Sequence, residues 1–201
     1  GWVTAETVRL TIPLTENRTR MTTGGKTTRL ARFGARHGPY LIILALGAAW
    51  LVASALLNHR ALDTGYDLGI YDQVVWNFAH GRFFKTTLVY ETGGTYDHFE
   101  PVLALIAPIY WLLPDVRVLL VIQSLALALG SAPIYVYARH RFAQLGVTSA
   151  AIALLPPVIY LIYPPLHAAN LNDFHEVALL PPLLGLALLG LLMGKRRLLW
   201  I

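Results

Sequence analysis

Four stretches of this 201-residue chain, 39–59, 118–138, 142–172 and 177–194, contain no Asp, Glu, Lys or Arg. Each is at least 18 residues long, and about 20 apolar residues cross the hydrocarbon core of a bilayer. A helix satisfies its own backbone polar groups, which lipid cannot do, so such runs read as membrane-spanning helices. Composition agrees: 13% of residues are charged, where a soluble domain has about 25%. The absence of Cys excludes a disulfide scaffold and a thiolate metal site. Aromatic residues at 11% argue against a disordered chain.

The expected architecture is an all-α polytopic membrane protein with about four transmembrane helices, at about 39–59, 117–138, 143–166 and 177–194. Residues 1–38 read as a basic, largely disordered tail, and 60–116 and 167–176 as outer loops. Met21 reads as a natural start ahead of the first span. The apolar run after Lys195-Arg196-Arg197 reads as the beginning of a further span, so the chain is expected to continue. Ala53-Ser54-Ala55 mimics a signal-peptide cleavage site, but the apolar run before it is too long for a typical h-region.

Basic residues set orientation. Seven of the sixteen fall in the first 38 residues, two in Arg139-His140-Arg141 and three in Lys195-Arg196-Arg197. With four spans these segments share one side, which the rule makes the cytoplasm. The net charge of +5 therefore reports membrane orientation, and no nucleic-acid partner is expected. Nine of the eleven acidic residues lie in the two outer loops. Acidic residues do not set topology, so their segregation points to chemistry on that face.

Within the long outer loop, DLGIYDQVVWNFAHG (67–81) places Leu68, Tyr71, Val75 and Phe78 at helical spacing. Asp72, Gln73, Trp76, Asn77 and His80 fall on the opposite face. This predicts an amphipathic helix ended by Gly81, lying at the outer membrane surface with Trp76 near the headgroups. Asp67 is placed to cap it or to project freely. Gly93-Gly94 suggests a hairpin turn, and 101–114 is too short to span, so it reads as a second interfacial or re-entrant helix.

Two motifs, Asp97-His98-Phe99-Glu100 and Asp173-Phe174-His175-Glu176, repeat an Asp and a Glu three apart around His and Phe. They have two readings. Converging, they offer oxygen and nitrogen ligands for a divalent cation, with Asp173, His175 and Glu176 as the candidate ligand set. Alternatively each motif caps a helix at the membrane interface. Arg60, Arg82, Lys85 and Arg117 are the outer cations, able to neutralise a lipid phosphate or to snorkel. Gln123, the main polar side chain inside a span, reads as helix-packing glue. Pro pairs within the spans mark interrupted helices, a feature of transporters.

The segments YDLGIYDQVVWNFAHG, HFEPVLALIAPIYWL, LLVIQSLALALGSAPIYVYAR and HAANLNDFHEVALLPPLL resemble, in this order over about residues 60–190, the membrane-protein family called domain of unknown function 2079. That family is similar to the C-type glycosyltransferases, multi-span enzymes taking sugars from polyprenyl-phosphate carriers on the outer membrane face. The resemblance implies that Asp67, just after the first span, is a catalytic base or a metal or acceptor ligand; in the base reading Asp72 and His98 are second in line. It also implies that Asp173, His175 and Glu176 line the donor site. Gln73, Trp76, Arg82, His98, Glu100 and Asn172 complete the expected substrate-binding set. The departure from the superfamily pattern is that Leu68 and Gly69, not a second acidic residue, follow Asp67.

The leading expectation is thus an inverting glycosyl transfer from a polyprenyl-phosphate-linked sugar on the extracytoplasmic face, in contact with the lipid bilayer, with the leaving phosphate stabilised either by a divalent cation (Mg²⁺ or Mn²⁺) or by Arg or Lys. The rival readings are a transporter or lipid flippase built on Pro-broken helices, and a non-catalytic membrane scaffold. The localisation expected is the prokaryotic cytoplasmic membrane, with the N-terminus cytoplasmic.

Overall fold

The structure, a computed structural model, describes residues 24–89, 98–147 and 149–194. The chain divides into two compact units, residues 1–39 and 40–201. Among the described residues the regular elements are all helical. Three segments, Phe33–Arg60, Arg117–Gln144 and Ile152–Leu171, are long and apolar enough to cross a membrane, and Glu176–Leu192 is a shorter apolar helix.

Helix α1 (Gly24–Arg60) begins inside the tail expected to lack regular structure. Leu, Ala and Arg are good helix formers, and they extend the first span towards the N-terminus. After a short turn, α2 (Tyr66–Ala79) packs against α3 (Leu103–Tyr110). Leu68, Tyr71, Val74, Val75 and Phe78 of α2 meet Leu103, Ile106, Ala107 and Tyr110 of α3 in one buried cluster. Leu119 and Leu120 of the next helix and Phe174 complete it. Each Leu, Ile, Val or Phe among them, fully buried, stabilises the cluster by about 1.5–3 kcal/mol. The expected hairpin turn at Gly93-Gly94 lies outside the described residues. Short α3 matches the expected non-spanning helix; Leu105 on it and Trp111, Leu112 and Leu113 just after it are exposed, as apolar side chains lying in a membrane interface would be.

The second spanning segment is made of α4 (Arg117–Leu129) and α5 (Ser131–Gln144). Its apolar window is 61% buried, against 17% and 22% for the other two, which makes it the centre of the bundle. At Gly130 between them a Cβ would lie 2.2 Å from the Tyr160 hydroxyl and 2.9 Å from Pro181, so only glycine permits this approach.

The third span differs from expectation. The sequence reading starts it at 143, but α5 runs to Gln144 and closes there. Gly146, at φ +74°, donates to the Ala143 carbonyl, and Val147 donates to that of Phe142. These are the two bonds of a Schellman cap. The segment restarts as a 3₁₀ turn at Ile152–Leu154, continues as α6 (Leu155–Leu161), breaks, and resumes as α7 (Pro164–Leu171). Tyr163 precedes Pro164 and is driven to ψ 120°, because the proline ring disfavours the helical region there. His167, expected in the outer loop, lies in α7, and its Nε2 bonds the Leu161 carbonyl at 2.8 Å across the break. The outer loop shrinks to residues 172–175. Beyond it, a 3₁₀ turn (Glu176–Leu179) leads into α8 (Leu180–Leu192).

Candidate functional site

Two features of α2 bring the acidic residues together. The backbone must leave α1 and turn within five residues. Asn58 Nδ2 holds that turn by donating to the carbonyls of Leu171 (2.9 Å) and Asp63 (3.3 Å). The helix then begins with Gly65 at its N-cap, without a side-chain cap of its own. Asp67 therefore does not cap α2. It stands in the first turn, where the helix dipole favours a carboxylate, and its side chain is 52% exposed. The capping carboxylate comes from across the chain: Asp173 Oδ1 accepts from the Gly65 N–H at 2.5 Å. A Cβ at Gly65 would approach Asp173 Oδ2 to 2.9 Å, so the absence of a side chain lets the carboxylate reach the backbone.

The segment after α7 is thereby laid against the start of α2. Phe174 is fully buried and meets the Tyr71 ring edge-on at 5.1 Å. Tyr71 donates its hydroxyl to Glu176 Oε2 at 2.5 Å. Most telling, His175 Nε2 lies 3.6 Å from Asp67 Oδ2, joining residues 108 positions apart. His175 Nδ1 faces the Asp173 carbonyl at 3.1 Å. A carbonyl only accepts, so Nδ1 carries the proton and Nε2 is the nitrogen able to exchange one with Asp67.

Asp72 opens to another place on the helix, as five residues of α-helix turn the chain by about 140°. A cavity of about 400 Å³ is lined by Asp72, Gln73, Trp76, Asn77, Arg82 and Thr87. The Arg82 guanidinium lies 4.8 Å from the centre of the Trp76 ring, and His80 stacks on Trp76 at 4.0 Å. Gln73 Oε1 accepts from the Thr87 N–H at 2.8 Å and from the Thr86 and Thr87 hydroxyls at 3.1 Å each, which orders the backbone after Gly81. The Tyr110 hydroxyl donates to Asp72 Oδ1 at 2.8 Å. Burial pushes the Asp72 carboxyl above its ordinary range, and the Tyr110 bond partly offsets this. Burial and the same carboxylate push the Tyr110 hydroxyl up.

The structure thus gathers Gln73, Trp76, Arg82 and Asp72 in one cavity, and Asp67 with His175 at the N-terminus of the same helix. Asn172 caps α7 and is exposed beside the second group. His98 and Glu100 lie just ahead of α3, outside the lining of the cavity, and Asp97 is outside the described residues. The expected ligand set does not assemble. Asp173 Oδ1 is taken by Gly65, Glu176 Oε2 by Tyr71 and His175 Nδ1 by the Asp173 carbonyl. Among the described residues no three His, Asp or Glu side chains are grouped to hold a metal ion. Sequence reasoning missed Tyr71 as a polar partner and took Gln123 for packing glue. Both side chains look ordinary until the fold sets the 173–176 segment beside them.

Among the described residues, three long apolar helical segments, with polar groups drawn together at the Arg117 end of the central one, mark a polytopic α-helical membrane protein. A family model described as predicted membrane protein, domain of unknown function 2079, matches residues 58–201, and the chain belongs to that family. No curated protein and no solved structure matches it.

Proposed function

We propose that this membrane protein transfers a sugar from a polyprenyl-phosphate carrier to an acceptor hydroxyl on the extracytoplasmic face, with inversion at the anomeric carbon. The observation that carries the reading is the Asp67–His175 pair, part-exposed at 3.6 Å where the first turn of α2 meets the 172–175 loop. The resemblance of the chain to the C-type glycosyltransferases supports the substrate class, as analogy at the level of fold. In this reading Asp67 takes the proton from the acceptor hydroxyl and hands it to His175 Nε2. The hydroxyl oxygen bonds the anomeric carbon while the carbon–oxygen bond to the phosphate breaks, its electron pair leaving with the phosphate. Neutralising that leaving charge calls for a cation at the site. No step runs through a metal.

A transport reading draws support from the break at Ile162–Tyr163, since broken helices often line substrate paths. It also calls for polar groups waiting for a substrate. Gln123, the main polar side chain of the spans, is instead bonded to backbone groups of the chain itself, which favours the enzyme. The test is mass spectrometry of lipid-linked sugars and surface glycoconjugates in cells carrying wild type, Asp67→Asn or no gene. Asp67→Asn is expected to lower product formation by about 10²–10⁴-fold, the usual contribution of a general base, with the charged carrier accumulating. Wild-type product levels in Asp67→Asn cells would sink the reading and leave the scaffold alternative.

A further inference from the structure

Beneath the Asp67–His175 pair lies a polar side chain of the central span whose hydrogen-bonding capacity is directed at one segment. Gln123 on α4 is 1% exposed. Its Nε2 donates to the carbonyls of Ala169 and Asp173, at 3.3 Å each, and its Oε1 accepts from the backbone N–H of His175 at 2.8 Å. Polar glue between membrane helices joins one helix to another. Here two of the three bonds go instead to residues outside any helix, on either side of Phe174. These residues have no helical neighbours to satisfy their backbone, and a buried backbone group without a partner costs about 1–3 kcal/mol. Gln123 removes that cost for one path of the backbone only, the extended one that His175 adopts at φ −136° and ψ 129°.

We infer that Gln123 is a positioning residue: it fixes the 173–175 backbone so that the Asp173 carboxylate reaches Gly65 and the His175 imidazole reaches Asp67. The inference rests on the reading of that pair as the proton-handling centre, but its geometric content stands apart from any activity. Two neighbours secure the base of the arrangement. Ser124 donates to Asn170 Oδ1 at 2.8 Å, and Asn170 Nδ2 donates to the Leu51 carbonyl at 2.8 Å. The α1–α4–α7 contact is therefore held without Gln123, and loss of the Gln123 bonds falls on the 173–175 segment.

The sequence has no cysteine, so a pair introduced at 67 and 175 reports its own separation without background. The full chain with Asp67→Cys and His175→Cys, in membranes, is treated with a short bis-methanethiosulfonate reagent in three backgrounds: wild-type Gln123, Gln123→Met and Gln123→Glu. Methionine keeps the length and loses all three bonds, whereas glutamate keeps the acceptor for the His175 N–H. Cross-linking is expected to fall by about 30-fold with Met, the factor for losing the two bonds to the segment at about 1 kcal/mol each, and to be largely restored with Glu. Equal cross-linking in all three backgrounds would overturn the inference. If the Met variant does not fold, Gln123→Asn replaces it, keeping both polar groups on a side chain one methylene too short to reach: cross-linking equal to the wild-type background overturns the inference. Lipid-linked sugar levels are measured separately in Gln123→Met with Asp67 and His175 intact. Cross-linking lost while sugar transfer persists supports the positioning role and removes the proposed function; loss of both supports both.

Discussion

Asp72 shows how a single residue joins the site to the stability of the fold. Its carboxyl is half-buried and its pKa is raised above the ordinary 3.8, so the folded state holds the proton more tightly than the unfolded chain does. The contribution of this group to stability is therefore fully present below 3.8 and is lost as pH rises through the folded value. Asp115, held at about 2 by Arg117, works the other way: its contribution is present above 3.8 and is lost as pH falls towards 2. Comparison with Asp72→Asn isolates the first effect. Melting curves in detergent are expected to show Asp72→Asn gaining on wild type between pH 4 and 7. Tyr110→Phe removes the donor to the ionised form and is expected to cost about 1 kcal/mol at pH 7, after allowance for solvent, and less at pH 4. A Tyr110→Phe deficit that is equal at both pH values would remove the Asp72 carboxylate as its cause. At this scale the sequence was legible in residue type but not in pairing. Carboxylates and imidazoles stood out as chemistry. That Asp173 would cap Gly65, or Gln123 hold His175, depends on contacts between residues 108 and 52 positions apart, which no local pattern encodes.

Element boundaries were legible where glycine marked them and the chain on either side differed in polarity. Gly81 ends α2 as its sequence suggests. At φ +73° it donates to the Phe78 carbonyl, and Arg82 donates to that of Asn77 at 2.8 Å, completing a Schellman cap. That turn delivers Arg82 to the cavity it shares with Trp76 and Asn77. A Cβ at Gly81 meets nothing within 4 Å, so substitution costs backbone strain alone. Gly81→Ala is expected to destabilise by about 1 kcal/mol and Gly81→Asn by less, since Asn tolerates the left-handed region better; thermal melting measures both. Equal stability of Ala and Gly at this position would mean that the turn is not held in that region. Gly146 makes the same cap at the end of α5 but was not legible, because uncharged residues continue on both sides of it and hydropathy gives no sign of the interruption. The same blindness placed His167 in a loop: Pro164-Pro165 breaks the third segment and then restarts it at N1 and N2, where proline is tolerated.

For the whole molecule, the positions of charge and of the site make orientation a measurable property. Gln123, which holds the 173–175 segment, lies less than two turns from Arg117 at one end of the central span, whereas Arg139 and Arg141 lie at the other. Some 22 residues separate Arg117 from Arg139, about 33 Å of helix at 1.5 Å per residue, which is the thickness of a bilayer core. The Asp67–His175 pair and the Arg139-His140-Arg141 cluster are therefore expected at opposite membrane faces. On the positive-inside rule the second is expected in the cytoplasm and the first outside. Single cysteines at 67, 175 and 140, introduced one at a time, are expected to divide accordingly in intact cells. An impermeant maleimide labels 67 and 175, and labels 140 only after the membrane is permeabilised. The reverse pattern would invert the topology and rule out an extracytoplasmic transferase, while leaving the 3.6 Å pairing untouched. Labelling of 67 and 175 from different sides would contradict the fold itself, because the Gln123, Asp173 and His175 contacts require both on one face.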